Sequence, residues 1–402
     1  MYIYTKLFDL PLYNMVPYIS QRLLLETDFV NEANNAELMA RLVANEPRLR
    51  GRVYIPKVYR ELSTDRVMTA EWIEGVRLWD KDDLTKPWKG GKGGSPGSGG
   101  KPLPTASLAP QKQDLGGGLL LKPERTSWRG PSLSGGLGLH LSDVMSTIVD
   151  LFSAQMFLWG VVHCDPHPGN VFIRRLPSGK PEIVLIDHGL YIRMDPTFRK
   201  EWARLWTSLL ALDNEAIREI SHGWGIRNAD AFASTVLMKP YTGGDMSTQR
   251  AMLEELAGKD EAERAFEVQR RMQGALREVL SDEEKWPQEL IFLARNLRIV
   301  QGNNQFLGSP VNRIKITAVW ASRALREEAI MRRGNGVWAR IGAVGRYVLF
   351  RLVLLSSDLV WWVSRVRQLL GLGGGMEDDV EARIREMARG FGVELNHELF
   401  EG

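Results

Sequence analysis

The sequence predicts an α+β fold in which a short strand-bearing half precedes a longer helical half. Three observations predict it. Two short β-branched runs, Val171–Ile173 and Ile183–Ile186, flank the turn-rich stretch LPSGKP and read as a two-stranded hairpin. Two further strand-like runs, 53–59 (VYIPKVY) and 66–73 (RVMTAEWI), lie upstream across a polar turn. After Gly189 come Asp195–Leu212, Asn214–Trp224, Asp230–Met238, Glu261–Leu280 and Trp286–Gln301, each amphipathic or rich in apolar residues at helical spacing.

Composition bounds the function classes. A chain of 402 residues with 44% hydrophobic content can bury real cores. The net charge of +3 is spread out with no Lys/Arg block, so no nucleic-acid partner is expected. The single cysteine, Cys164, excludes an internal disulfide framework and fits a reducing compartment. No secretory signal and no Arg-rich, acid-poor transit segment is visible.

Taken in order, residues 1–25 carry scattered apolar positions that fit one or two short helices. Thr27 or Asp28 can cap a helix running to about Asn45, with Phe29, Ala33, Ala36, Leu42 and Val43 inward. Glu32, in its second turn, reads as a solvated helix charge or as the partner of a phosphate-binding lysine. Pro56 places the run 53–59 at a sheet edge. Glu74-Gly75 ends the second run and is the natural crossing between two lobes. Trp72 and Glu71 lie there beside a possible base pocket, although strand aromatics are more often core. Residues 88–139, with stretches such as GGKGGSPGSGGKPLPTASLAP, are too poor in apolar groups to offset ordering entropy and read as a disordered insertion. They are not read as a phosphate loop, because no G-x-G-x-x-G follows a strand and no G-K-[ST] occurs. Ser142 caps a helix through Trp159 that leads straight into the hairpin region. Residues 336–372 include YVLFRLVLLSSDLVWWV, interrupted by Arg351 and Asp358. A helix on the protein or on a membrane surface therefore ranks ahead of a spanning one. The tail 376–402 is polar.

Candidate chemistry concentrates in 161–190. His163-x-Asp165 and Asn170 precede the first hairpin run, and Asp187-x-Gly189 follows the second. The spacing H-x-D-x-x-x-x-N, with a second Asp after the next strand, is what phosphoryl transfer requires. Asp165 is the candidate base toward a hydroxyl. Asn170 and Asp187 are candidate ligands of Mg²⁺, a hard cation that prefers oxygen. His163 braces the loop. Two blander readings compete: Asp, Asn, Gly and Pro as mere turn formers, and a transition-metal site from His163, Cys164, Asp165 and His167. Four near neighbours rarely converge on one ion. Arg295, Asn296 and Arg298 read as surface or packing polar groups.

These residues resemble the UbiB/aarF-domain (ADCK-type) atypical kinase family, in the branch that reads HCDPHPGNV…IVLIDHGLY. Glu26-x-Asp28 resembles that family's ExD motif. Glu32 within DFVNEANNAE, the hinge-like MTAEWIEGVRL, the loop His163–Asn170 and Asp187-His188-Gly189 also match. The resemblance covers roughly 10–80 and 140–310. It implies a protein-kinase-like fold: a truncated small lobe (1–80), the insertion (81–140), a helical large lobe (141–330) and a C-terminal helical extension (331–402). It implies ATP and Mg²⁺ as cofactors, with Asp165 catalytic and Asn170 and Asp187 on the metal. Glu26 and Asp28 would lie at the nucleotide, and Glu32 would pair with its lysine. It also implies mitochondrial localisation, a role in lipid or membrane homeostasis, and a small-molecule, lipid or protein substrate.

Departures are as informative. Neither the family's KxGQ segment nor its alanine-rich nucleotide loop precedes Glu26, and only Lys6 lies upstream. An incomplete small lobe is therefore expected. His188 stands where D-F-G has Phe, which removes a Phe-dependent switch. A non-catalytic pseudokinase or scaffold is thus an alternative. So is a phosphotransferase of the aminoglycoside or choline kinase type, against which the ExD–Glu32 region argues.

Overall fold

The computed structural model describes residues 20, 24, 25, 27–101, 103, 134–238, 241, 243 and 286–331, with positions 345, 348, 350, 352, 354, 355, 361–364, 366–368 and 370. The predicted segment Glu261–Leu280, most of 1–25 and the tail 376–402 lie outside the described residues. The chain divides into two compact units. A sheet unit comprises Leu23–Phe152 and Asp165–Tyr191, and a helical unit takes the remainder.

In the sheet unit, helix α1 (Phe29–Asn45) begins where Asp28 accepts hydrogen bonds from the Val30 and Asn31 amides. That carboxylate satisfies two of the donors a helix start leaves open. The inward face carries Ala33, Ala36, Met39 and Val43, and also the polar Glu32 and Asn35. A four-stranded sheet follows in the order β1 (Val53–Tyr54), β5 (Pro181–Leu185), β4 (Val171–Arg175), β2 (Val76–Arg77). β1 runs parallel to β5, while β4 is antiparallel to both β5 and β2. Val53, Val76, Val171, Ile173 and Ile183–Leu185 are buried, so these short strands share one core.

Two sequence expectations change here. The runs 53–59 and 66–73 do not form a full ladder. Beyond β1 they meet at the antiparallel bridge Val58–Ala70, through backbone bonds such as Tyr59 N–H to Thr69 O at 2.8 Å, and through the Glu71 carboxylate, which accepts from Lys57 N–H at 3.2 Å. Pro56 lacks the donor that would extend β1. The expected disordered insertion is also ordered at both flanks. Helix α2 (Lys81–Thr85) precedes residues 86–101, where Ser95 exchanges bonds with Arg175, its N–H to Arg175 O at 2.7 Å and its Oγ from Arg175 N–H at 2.8 Å. Gly94 makes this approach possible, since a Cβ there would lie 2.4 Å from the Arg175 carbonyl oxygen. Leu137 and Leu139 are buried, and their amides donate to Asp83 and Leu84 carbonyls. Backbone pairing together with the burial of Leu84, Leu137 and Leu139 orders these flanks. The centre of the insertion, 104–133, lies outside the described residues.

Helix α3 (Leu141–Ala154) starts one residue before the expected cap at Ser142, with the His140 carbonyl accepting from Asp143 and Val144. In the helical unit it continues as a π-helical segment, Gln155–Trp159, and stops at Gly160, whose φ of 63° is left-handed. Among the described residues, Leu141–Trp159 is the run long and apolar enough to cross a membrane, yet 67% of it is buried in the protein. β3 (Val161–His163) pairs with β6 (Tyr191–Arg193). Then come α4 (Pro196–Ala211), α5 (Asn214–Gly223), α6 (Ala229–Leu237), α7 (Glu289–Phe306) and α8 (Arg313–Met331). α4 packs against α5 and α8 and buries Trp202 and Trp206. Trp202 stacks on Trp224 with centroids 6.4 Å apart. Further along, Phe350 and Leu354 are buried against Ala318, while Val348, Leu352, Leu355, Trp362, Val363, Val366 and Leu370 are exposed.

Candidate active site

The hairpin places the predicted metal ligands. Pairing of Val171 with Leu185 is extended one step by the Ile186 amide, which donates to Asn170 O at 3.2 Å. Asn170 and Asp187 therefore leave the ladder side by side. Asn170 Nδ2 donates to Asp187 Oδ2 at 3.0 Å, and Gly189 N–H donates to Asp187 Oδ1 at 2.9 Å. Asn170 itself closes a 3₁₀ turn, Pro168–Asn170, capped by His167 Nδ1 accepting from Gly169 N–H at 3.1 Å. This turn holds a carboxamide and a carboxylate together, the oxygen-bearing pair that suits Mg²⁺ with its remaining positions left to phosphates and water.

Helix α1 approaches the same segment. Glu32 is 8% exposed, and its Oε1 accepts from His188 N–H at 3.4 Å. Asn35 Nδ2 donates to His188 O at 3.0 Å, and Asn31 Nδ2 to Gly189 O at 3.3 Å. The His188 ring is buried, with Nδ1 3.0 Å from Tyr191 Oη and Nε2 3.3 Å from Leu185 O. Burial pushes its pKa from 6.5 down to about 4, against the opposing pull of the Leu185 carbonyl and Asp187. His188 therefore serves as a neutral, buried anchor at the position of the D-F-G phenylalanine.

Other predicted residues take different places. Asp28 accepts from the α1 amides as its N-cap. Glu26 lies outside the described residues. Asp165 is half-buried on the loop ahead of the 3₁₀ turn. His163, in the helical unit, is fully buried; its N–H donates to Gln155 Oε1 at 2.8 Å, and its carbonyl accepts from Asn296 Nδ2 at 2.6 Å. Cys164 is buried, with its thiol donating to Val162 O, and His167 caps the turn. The two His163 bonds are made by its main chain, and among the described residues no three His, Cys, Asp or Glu converge on a metal position.

Sequence reasoning missed Asn31, Asn35 and Gln155 and read Asn296 as a packing group. Asn31, Glu32 and Asn35 at i, i+1 and i+4 were the available signal, since such spacing puts them on adjoining strips of one helix face. It also left open a cavity of about 660 Å³ in the sheet unit. Trp72, Gly75, Arg77 and Trp79 line it on one side, Phe172 and Ile186 on the other. Ile186 immediately precedes Asp187, so the cavity adjoins the Asn170–Asp187 pair in sequence and in the sheet. Trp72 is 48% exposed at its rim, with Nε1 donating to Glu74 at 2.8 Å. The Arg77 guanidinium lies over Trp79, 5.1 Å from the ring centroid.

Residues 2–221 match the model of the ABC1 atypical kinase-like domain. The ABC1 family protein lscO of Purpureocillium lilacinum is 39% identical over 397 residues, which are 96% of this chain and 59% of that protein. The ABC1 family protein C10F6.14c of Schizosaccharomyces pombe is 32% identical over 324 residues, 80% of this chain and 50% of that protein. AarF domain-containing protein kinase 1 of Gallus gallus is 30% identical over 212 residues, 52% of this chain and 30% of that protein. The chain spans at most about three-fifths of the length of these relatives, 59% in the first. The matched region contains α1, the hairpin and every predicted site residue, and the α+β architecture is kinase-like. The chain belongs to the ABC1 atypical kinase-like domain family.

Proposed function

We propose that this chain binds ATP with Mg²⁺ and uses it for phosphoryl transfer to a hydroxyl group or for hydrolysis. The observation that carries this reading is the Asn170–Asp187 pair, held 3.0 Å apart by the hairpin register. The pair fits Mg²⁺ because both groups offer hard oxygens and a nucleotide supplies the rest. Asn170 and Asp187 would hold the cation, which would neutralise charge on the phosphates. The cavity beside Ile186 and Phe172 has the size and aromatic lining to receive the base. Asp165 would accept and orient the proton of the acceptor hydroxyl.

The acceptor class, a small molecule, lipid or protein, is part of this proposal. So is a setting in mitochondrial lipid or membrane homeostasis, which rests on the motif resemblance. Contact with a membrane surface is supported by the exposed Leu352, Leu355, Trp362, Val363 and Val366.

A thermal-shift titration with ATP, with and without Mg²⁺, tests the reading. Ligand at a hundredfold excess over Kd should raise stability by ~2.7 kcal/mol in wild type and only weakly in Asp187→Asn. A shift independent of Mg²⁺, or retained in Asp187→Asn, would overturn it.

A further inference from the structure

We propose that Asn31 and Asn35 of α1 are positioning residues for Asp187, holding the two peptide units that follow it and thereby aiming its carboxylate. The inference rests on the nucleotide reading above and names what keeps that site in order. Every backbone polar group of residues 188 and 189 has an identified partner. His188 N–H donates to Glu32, and His188 O accepts from Asn35. Gly189 N–H donates to Asp187 itself, and Gly189 O accepts from Asn31. Three of the four partners thus come from one face of one helix.

Asparagine is a poor choice for a helix interior, because its amide competes with the backbone and its propensity is well below that of alanine. Asn35 is nonetheless 8% exposed in the middle of α1. The neighbouring Asn34 shows the contrast: it faces outward and accepts from Arg60 at 2.7 Å. A carboxamide is the side chain that can reach a carbonyl with an N–H while carrying no charge toward the Asp187 carboxylate. Lysine in its place would carry a charge, and aspartate could not donate. With His188 buried and bonded to Tyr191, the segment is held from both its side chain and its main chain. Groups that orient a metal ligand in this way typically change metal affinity or activity 10–100-fold when removed.

The test uses the full chain with Mn²⁺ as a spectroscopic substitute for Mg²⁺, in the presence of ATP, with free Mn²⁺ counted by electron paramagnetic resonance. Wild type is compared with Asn35→Leu, Asn31→Leu, Asn35→Gln and Asp187→Asn, each first checked for a cooperative melt. Asn35→Leu should weaken Mn²⁺ binding about 10–100-fold. Asn31→Leu should weaken it less, and Asn35→Gln, which keeps the donor, should recover part of the loss. Amide exchange of residues 187–189 without metal should quicken in Asn35→Leu while α4 and α8 keep their rates. If Asn35→Leu does not fold, Asn31→Leu and Asn35→Gln carry the same comparison. Wild-type affinity in the asparagine variants beside loss in Asp187→Asn would overturn the inference and leave the nucleotide reading standing. No saturable binding by wild type would overturn that reading itself.

Discussion

Asn296 sits on α7 with no exposure and donates to the His163 carbonyl at 2.6 Å. Asn296→Leu keeps the volume but removes that buried hydrogen bond, and losing one such bond costs about 0.5–1.5 kcal/mol. Urea unfolding should therefore show a loss of that size. His188 gives a pH dependence. Its folded pKa, about 4, lies below the ordinary 6.5, so the neutral ring's contribution is complete above pH 6.5 and is lost as pH falls toward 4. By linkage this amounts to roughly 3 kcal/mol. Urea midpoints measured at pH 7 and pH 4.5 should fall more steeply in wild type than in His188→Gln, and equal slopes would refute the assignment. The meeting of Asn170 with Asp187 was legible because the motif fixes a spacing within one short stretch. Gln155 and Asn296 were not, because a side chain that bonds a distant peptide leaves no local pattern.

The hairpin was readable for a similar reason: two β-branched runs and a turn are local signals. The bounds of α1 were readable from Asp28 and from the inward Ala33, Ala36 and Val43. What escaped was pairing decided elsewhere, such as the parallel contact of β1 with β5 and the docking of residues 94–99 on the end of β4. At that end Arg174 and Glu182 form a buried pair at 2.8 Å, with side chains 1% and 2% exposed. Gly99 N–H also reaches Glu182, and the Arg174 guanidinium lies 4.7 Å from the Tyr54 ring centroid. Burial pushes the Glu182 carboxyl above its usual range, with Arg174 pulling it back. Glu182→Leu leaves a guanidinium unpaired and should cost about 3–5 kcal/mol. Arg174→Met with Glu182→Leu should recover most of that loss, since an apolar pair of similar size is often neutral or better. Chemical denaturation of the two variants separates a pair that is stabilising from one that is only costly to break.

Across the whole chain, strand-like runs and helical spacing distinguished a sheet-bearing part from a helical one, but the allocation of segments differed. The stretch Ser153–Cys164 joins the helical unit while Asp165–Tyr191 joins the sheet unit, so the predicted catalytic loop is divided right after Cys164. No composition shift marks that point. The exposed apolar side chains near the C-terminal end give a further test. Leu352→Glu with Trp362→Glu should reduce co-sedimentation with anionic vesicles while leaving the melting temperature within a few degrees. Retained co-sedimentation would separate membrane contact from this face.

The helix Leu141–Trp159 has a consequence during synthesis. Its mean hydropathy of 1.2 reaches that of a membrane-crossing segment, and in the finished protein 67% of it is shielded. Part of the shield at its C-terminal end is α8, where Ser153 Oγ lies 3.4 Å from Thr317 Oγ1. α8 ends at Met331. At about 5–20 residues per second, a ribosome needs roughly 10–30 s to make the intervening chain. During that interval the C-terminal end of this apolar helix lacks the cover that α8 supplies. A chain stopped before α8 is therefore expected to be more prone to aggregation than the finished protein, which sedimentation of stalled nascent chains would check.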